Sequence, residues 1–252
     1  MAKSTDSSIT VIGAGIVGIC CACYLQRSGF RVTLIDREEP AMQTSFGNAG
    51  GISPGSVAPI GMPGMWQQIP GWLIDDQAPL FIKARHFPKV LPWLMRFMHQ
   101  SRRSRVLEIS KALTALNGPT FKAYQPLLED AGITNLFHQT GQLFVYHTRQ
   151  SMEKDTFTRE LRSAAGTRVE HLDSKAIQDI EPALAPVFEA GYLMPDNGHC
   201  KNPLGLAQAL VQMFVNKGGQ LLKTEVRDFV FEAGGISGLL TTSGQLPAKK
   251  VV

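Results

Sequence analysis

An α/β fold that opens on a parallel βαβ unit and continues into a mixed α+β region is predicted by three features of the sequence. Residues 9–36 read as strand, glycine turn, helix and strand. From about residue 56 to 196, segments with helical and strand periodicity follow one another without regular alternation. Residues 204–222 then return to helix, a Gly-Gly stop and an apolar strand.

The first unit is the most informative. Ile9, Val11 and Ile12 form a short buried strand that runs into Gly13-Ala14-Gly15-Ile16-Val17-Gly18, a Gly-x-Gly-x-x-Gly turn opening a helix. Gly13 permits the turn, Gly15 lets backbone approach a pyrophosphate, and Gly18 seats the helix close on the sheet. The helix N-terminus offers N–H groups and partial positive charge to phosphates. Val32-Thr33-Leu34-Ile35 is a second strand, and it ends in Asp36, eighteen residues after Gly18. A carboxylate there suits a ribose diol, so the unit is expected to bind a dinucleotide. The competing reading is a βαβ unit that is glycine-rich for packing alone.

The 252 residues, 44% hydrophobic and 18% charged, describe an ordinary globular chain. No run reaches the length of a membrane span. The opening MAKSTDSS has no apolar core, so neither a signal nor a transit peptide is expected, and cytoplasm is the expected location. Cys20, Cys21, Cys23 and Cys200 have neither metal-ligand nor disulfide-framework spacing and are expected to be small buried thiols. No metal site is expected. The formal charge of +4 is uneven: residues 83–105 hold seven Lys or Arg and no acid.

After Asp36-Arg37 comes a second glycine-rich run, Thr44-Ser45-Phe46-Gly47-Asn48-Ala49-Gly50-Gly51-Ile52, with no helical or strand period. It is a loop, suited to lie against a flat ligand or to serve as a surface linker. The run DREEPAMQTSFGNAGGISPG resembles the N-terminal part of the D-amino-acid dehydrogenases, flavoenzymes of the D-amino-acid oxidase superfamily. The resemblance implies a Rossmann-like FAD-binding domain of glutathione-reductase type with an inserted mixed α+β substrate domain. It implies FAD as cofactor, with Asp36 on the adenosine ribose and Ser45, Asn48, Ala49, Gly50, Gly51 and Ile52 facing the flavin. Arg37 beside Asp36 could instead meet a 2′-phosphate; the loop resemblance decides for FAD. It further implies hydride transfer from a D-amino acid to the flavin N5, release of a 2-oxo acid and ammonia, and electrons passed to a membrane quinone chain. A D-hydroxyproline or sarcosine type of oxidoreductase and a non-catalytic FAD-binding remnant are the alternatives. The family would divide this chain as 1–55 and 197–252 for FAD and 56–196 for substrate. Because typical members are longer, a C-terminally truncated product with an open sheet edge and weak flavin retention is expected.

Between Ser56 and Trp72 the Pro, Gly and Met residues argue against regular structure. Pro92 fits the first turn of a helix in which Leu94, Phe97 and Met98 face one side and Arg96, His99, Arg102 and Arg103 the other. Such a helix either packs on its own domain with a solvated basic face or attaches to an anionic membrane, with Trp93 and Phe97 entering the headgroups. No nucleic-acid recognition motif accompanies it. Helix is expected over 108–131 with a break at 117–119, over 151–165, and briefly from Asp173; strands are expected at 141–147 and 190–193. Asn202 is a helix cap and Pro203 the first helical residue. His199, in the turn before them, is a weak candidate to face substrate, against a solvated or capping role. The family places Val226 on the adenine side of FAD.

Overall fold

The computed structural model describes residues 8–67 and 83–252, which divide into two compact units threaded by one chain. The first comprises Met1–Gly51, Lys122–His138 and His199–Val252, and the second Ile52–Phe121 and Gln139–Gly198. The N-terminal polar residues 1–7 and the later part of the Pro/Gly/Met-rich stretch, residues 68–72, lie outside the described residues.

In the first unit, strand Ser8–Ile12 pairs in parallel with Arg31–Asp36, from Ser8↔Arg31 to Ile12↔Ile35. Strand Gln220–Lys223 adds in parallel on the far side, from Thr33↔Gln220 to Asp36↔Lys223. Val11, Val32, Leu34 and Ile35 are buried, as near-continuous apolar runs in a parallel sheet must be. The edge beside the first strand is taken up by the last residues: Thr10 N–H donates to the Lys250 carbonyl and Val252 N–H to the Thr10 carbonyl, both at 2.9 Å. The sheet edge expected to be open is therefore paired on this side.

Helix Ile16–Arg27 packs against helix Pro203–Asn216 through Ile19, Ala22, Leu210 and Phe214, all fully buried. The Gln26 amide donates to the Phe214 and Lys217 carbonyls, both at 3.0 Å, and ties the helix ends together. Asn202 caps the second helix as the sequence predicts, its Oδ1 accepting from Gly205 N–H at 2.9 Å, and Pro203 takes the first turn. Burial pushes the Cys20 thiol up to about 11 and that of Cys23 up to about 12, so both pack as neutral side chains.

Helix Thr120–Ala131 belongs largely to this unit, although the sequence division set it with the substrate domain. Tyr24 donates its hydroxyl to the Ala123 carbonyl, and Asp130 pairs with Arg27 and, at 2.7 Å, with Lys217. These partners are remote in sequence, so local periodicity cannot reveal them. An antiparallel meander, Val226–Glu232, Gly235–Thr241 and Gly244–Pro247, completes the unit. Its Leu239, with Ala248, is buried against Ile35.

The second unit is built on an antiparallel sheet in the order Gln142–Tyr146, Ala190–Met194, Glu170–Asp173. Tyr192 and Met194 are buried with Met152, and Phe144 and Tyr146 pack against them. The Arg162 guanidinium lies 4.8 Å from the Tyr192 ring centre and 5.6 Å from that of Phe144. Burial, aided by the neighbouring Tyr146 hydroxyl, pushes the Tyr192 phenol up. The helix expected over 151–165 is two, Arg149–Glu153 and Thr156–Ala164. Pro92 does not open its helix but lies inside Phe87–Gln100, with Pro88 in the first turn instead. The chain breaks near Asn117 as predicted, between Arg103–Asn117 and Thr120–Ala131. Among the described residues no helix is long and apolar enough to cross a membrane.

Candidate functional site

The site forms in the first unit, at the C-terminal ends of its parallel strands. In an open α/β sheet, ligands bind outside those ends. Gly13 leaves the first strand at φ +102°, a conformation that a side-chain-bearing residue adopts only with strain, and a Cβ there would meet open space. A Cβ on Gly18 would overlap the Gly13 carbonyl oxygen, so the helix can sit this close only with glycine at that position. Gly13 N–H donates to the Ile35 carbonyl at 2.7 Å, which holds the turn onto the second strand.

Asp36 ends that second strand and has two tasks. Its Oδ2 accepts from Ala14 N–H at 2.6 Å and its Oδ1 from Glu38 N–H at 2.9 Å. Each oxygen retains acceptor capacity beyond these bonds, which a ribose hydroxyl can use. Asp36 and Arg37 line a cavity of about 240 Å³ together with Gly13, Thr224, Glu225 and Val226. Val226, which the family resemblance sets on the adenine side of FAD, lines the same cavity as Asp36. Thr224 and Glu225 were not singled out from the sequence. The signal was present: they immediately follow the strand that pairs with Asp36, and Thr224 N–H donates to the Asp36 carbonyl at 2.8 Å.

Residues 44–50 form the expected loop, which reaches the glycine turn, whereas Gly51–Ile52, also read as loop, is a short strand. Ser45 Oγ accepts from Ile16 N–H, the first N–H of the helix, at 2.9 Å. That bond leaves the hydroxyl proton of Ser45 available to a further acceptor. Asn48 shapes the loop from within: its Oδ1 accepts from Gly50 N–H at 2.7 Å and its Nδ2 donates to the Ser45 carbonyl at 3.3 Å. Gly50 O accepts from Cys200 N–H at 2.7 Å, which anchors the loop's end. Ala49 and Gly51 are exposed, Gly50 and Ile52 are buried, and Val17 projects 73% exposed from the helix. Ile52 begins the second unit.

His199 sits in the short strand Gly198–Cys200, paired with His138 of Phe137–His138, and the two rings stack at 5.6 Å. It is half-buried. Among the described residues no group of three or more His, Cys, Asp or Glu is arranged to hold a metal ion.

The open space at Gly13, the spare acceptor capacity of Asp36, the cavity between Asp36 and Val226, and a loop fastened to the helix N-terminus fit an extended dinucleotide. Residues 8–252 match the family described as DAO, FAD dependent oxidoreductase. The chain is 30% identical over 247 residues to a D-amino-acid oxidase of Bradyrhizobium diazoefficiens, covering 97% of this chain and 58% of that protein. It is 29% identical over 248 residues to a D-amino acid dehydrogenase of Agrobacterium fabrum, covering 96% and 59%. Its fold resembles that of L-proline dehydrogenase from P. horikoshii, with TM-score 0.67 and 21% identity over 97% of this chain and 51% of that one. The chain thus spans a little under three-fifths of the length of these curated relatives.

Proposed function

This chain belongs to the DAO family of FAD-dependent oxidoreductases, and we propose from that premise that it carries the FAD-binding part of an enzyme oxidising D-amino acids to 2-oxo acids and ammonia. The observation that supports the reading most is the convergence of Asp36, the glycine turn and Ser45 on one helix N-terminus. FAD, when bound, supplies the two-electron chemistry by taking the α-hydrogen of the substrate as hydride at the flavin N5. Asp36 takes the adenosine ribose hydroxyls, Arg37 and Val226 flank the adenosine, and Gly13 to Gly18 receive the diphosphate. Ser45 holds the loop in register, so that Asn48 to Ile52 lie along the ring system. The 56–196 segment serves the substrate, and a membrane quinone chain takes the electrons. His199 is a weaker candidate, on the edge of the same unit.

The test is a titration of the apo-protein with FAD, followed by assay of the holo-protein with D- and L-amino acids and an artificial acceptor. Saturable FAD binding is expected, with Asp36→Asn weakening it by roughly 10- to 100-fold, as loss of a charged hydrogen-bond acceptor does. Turnover should be confined to D-amino acids. Turnover only with D-hydroxyproline or sarcosine would move the substrate assignment, and binding without any turnover would leave a flavin-binding remnant. Displacement of FAD by nicotinamide nucleotides would sink the flavin reading itself.

A further inference from the structure

Part of the wall of the cavity beside Asp36 is held by residues that never reach the cavity. Thr224 and Glu225 join the strand Gln220–Lys223 to Val226–Glu232 and belong to neither. Backbone between strands keeps its course only where other bonds satisfy its polar groups. One such bond is already described, from Thr224 N–H to the Asp36 carbonyl. The others come from Thr242 and Ser243, the two-residue turn between strands Gly235–Thr241 and Gly244–Pro247.

Thr242 grips Glu225 at both backbone groups. Its Oγ1 accepts from Glu225 N–H at 3.2 Å, and its own N–H donates to the Glu225 carbonyl at 3.0 Å. The side chain of Thr224 is buried, so its hydroxyl requires partners. It lies 3.1 Å from Thr242 Oγ1 and 2.9 Å from Ser243 Oγ. The three hydroxyls form one network, in which each donates one proton and offers two lone pairs. Thr241 shapes the turn from within, its Oγ1 accepting from Ser243 N–H at 3.1 Å and donating to the Gly244 carbonyl at 2.7 Å. The Thr242 and Ser243 hydroxyls are directed elsewhere, onto the Thr224–Glu225 stretch. Both residues are exposed, and neither lines the cavity.

We propose that Thr242 and Ser243 are positioning residues for the adenosine half of FAD, acting through Thr224 and Glu225 to fix the wall that receives it. The inference rests on the flavin reading and deepens it, assigning part of the cofactor affinity to a hairpin turn that does not touch the cofactor. A wall fixed before the ligand arrives pays no ordering cost when the ligand binds. Once the network is cut, affinity falls for any ligand that carries adenosine diphosphate, whatever is attached beyond its second phosphate. The competing account is that these hydroxyls only stiffen the hairpin. In that case stability changes and nucleotide affinity does not.

The experiment is calorimetric titration of the full chain with ADP and, separately, with FAD, alongside urea unfolding. Thr242→Val keeps the branched shape of the side chain and removes Oγ1. It is expected to weaken ADP and FAD by the same factor, roughly 3- to 20-fold. Thr242→Ser should restore most of both affinities, and Ser243→Ala should show a smaller loss of the same kind. Ser237→Ala removes a bond to the Val230 carbonyl, 3.3 Å long, at the other end of the same meander. It should lower the urea midpoint and leave ADP affinity unchanged. If Thr242→Val fails to fold by circular dichroism, Ser243→Ala decides. Wild-type ADP affinity in the folded variant, a loss for FAD with none for ADP, or an equal loss in Ser237→Ala would each overturn the positioning role while leaving the flavin reading intact. A wild-type chain that binds neither nucleotide would overturn both.

Discussion

Ser45 shows how one hydroxyl couples two parts of the site. It lies 29 residues from Ile16 in sequence, yet accepts the first N–H of the helix that the glycine turn opens. A helix cap of this kind is worth about 1 kcal/mol. Ser45→Ala should lower stability to urea by about that amount and weaken FAD binding several-fold, while Ser45→Thr should restore most of both. Unchanged FAD affinity in a destabilised Ser45→Ala protein would reduce the residue to a cap alone. Asp36 and the glycines were readable from the sequence because they act within one βαβ unit, where spacing sets geometry. Ser45 was readable only as part of a loop pattern. Its partner on the helix was not, since a bond across 29 residues leaves no periodic trace.

At the scale of elements, Asn197 does for the second unit what Asn202 does for the helix after it. Asn197 is 1% exposed, with its Oδ1 accepting from Gly55 N–H at 3.1 Å and its Nδ2 donating to Gln142 at 2.8 Å. Its backbone carbonyl accepts from Gly141 N–H at 2.8 Å, so one residue joins three segments. Asn197→Ala leaves buried polar groups unpaired and should cost about 1–3 kcal/mol, read as a lower urea midpoint, with the strand spectrum retained. No loss of stability would mean that water satisfies those groups. The Asn202 cap was predictable, because a cap followed by proline is a local signal. The start of helix Phe87–Gln100 was not: Pro92 mimics a first turn, and only packing carries the helix past it.

At the scale of the first unit, Asp130 joins three stretches of chain: its own helix, Arg27 at the end of the glycine-turn helix, and Lys217 after helix Pro203–Asn216. The hydrogen bond from Lys217, and then that from Arg27, holds the Asp130 carboxyl below its ordinary value. A carboxyl depressed in the folded state stabilises above its unfolded value and loses that contribution as pH falls through the folded one. Asp130→Asn should therefore be less stable than wild type at neutral pH by about 1 kcal/mol at most, since the cluster is partly exposed. The difference should shrink below about pH 4 and vanish in stronger acid. A gap that persists at low pH would assign the effect to packing. The place of helix Thr120–Ala131 in the first unit was not visible beforehand, because the cluster that ties it there is made of single charged residues far apart in sequence.

The pairing of residues 250–252 with the strand Ser8–Ile12 has a consequence for how the protein is made. On the ribosome, every residue of the second unit has been synthesised before Gln220–Lys223 and Lys250–Val252 appear, so that unit can condense early. Strand Ser8–Ile12 must wait until residues 250–252 have been made before that neighbour arrives. The parallel sheet of the first unit then closes only after the second unit has been made, and chaperone demand should concentrate on strand Ser8–Ile12 during that delay.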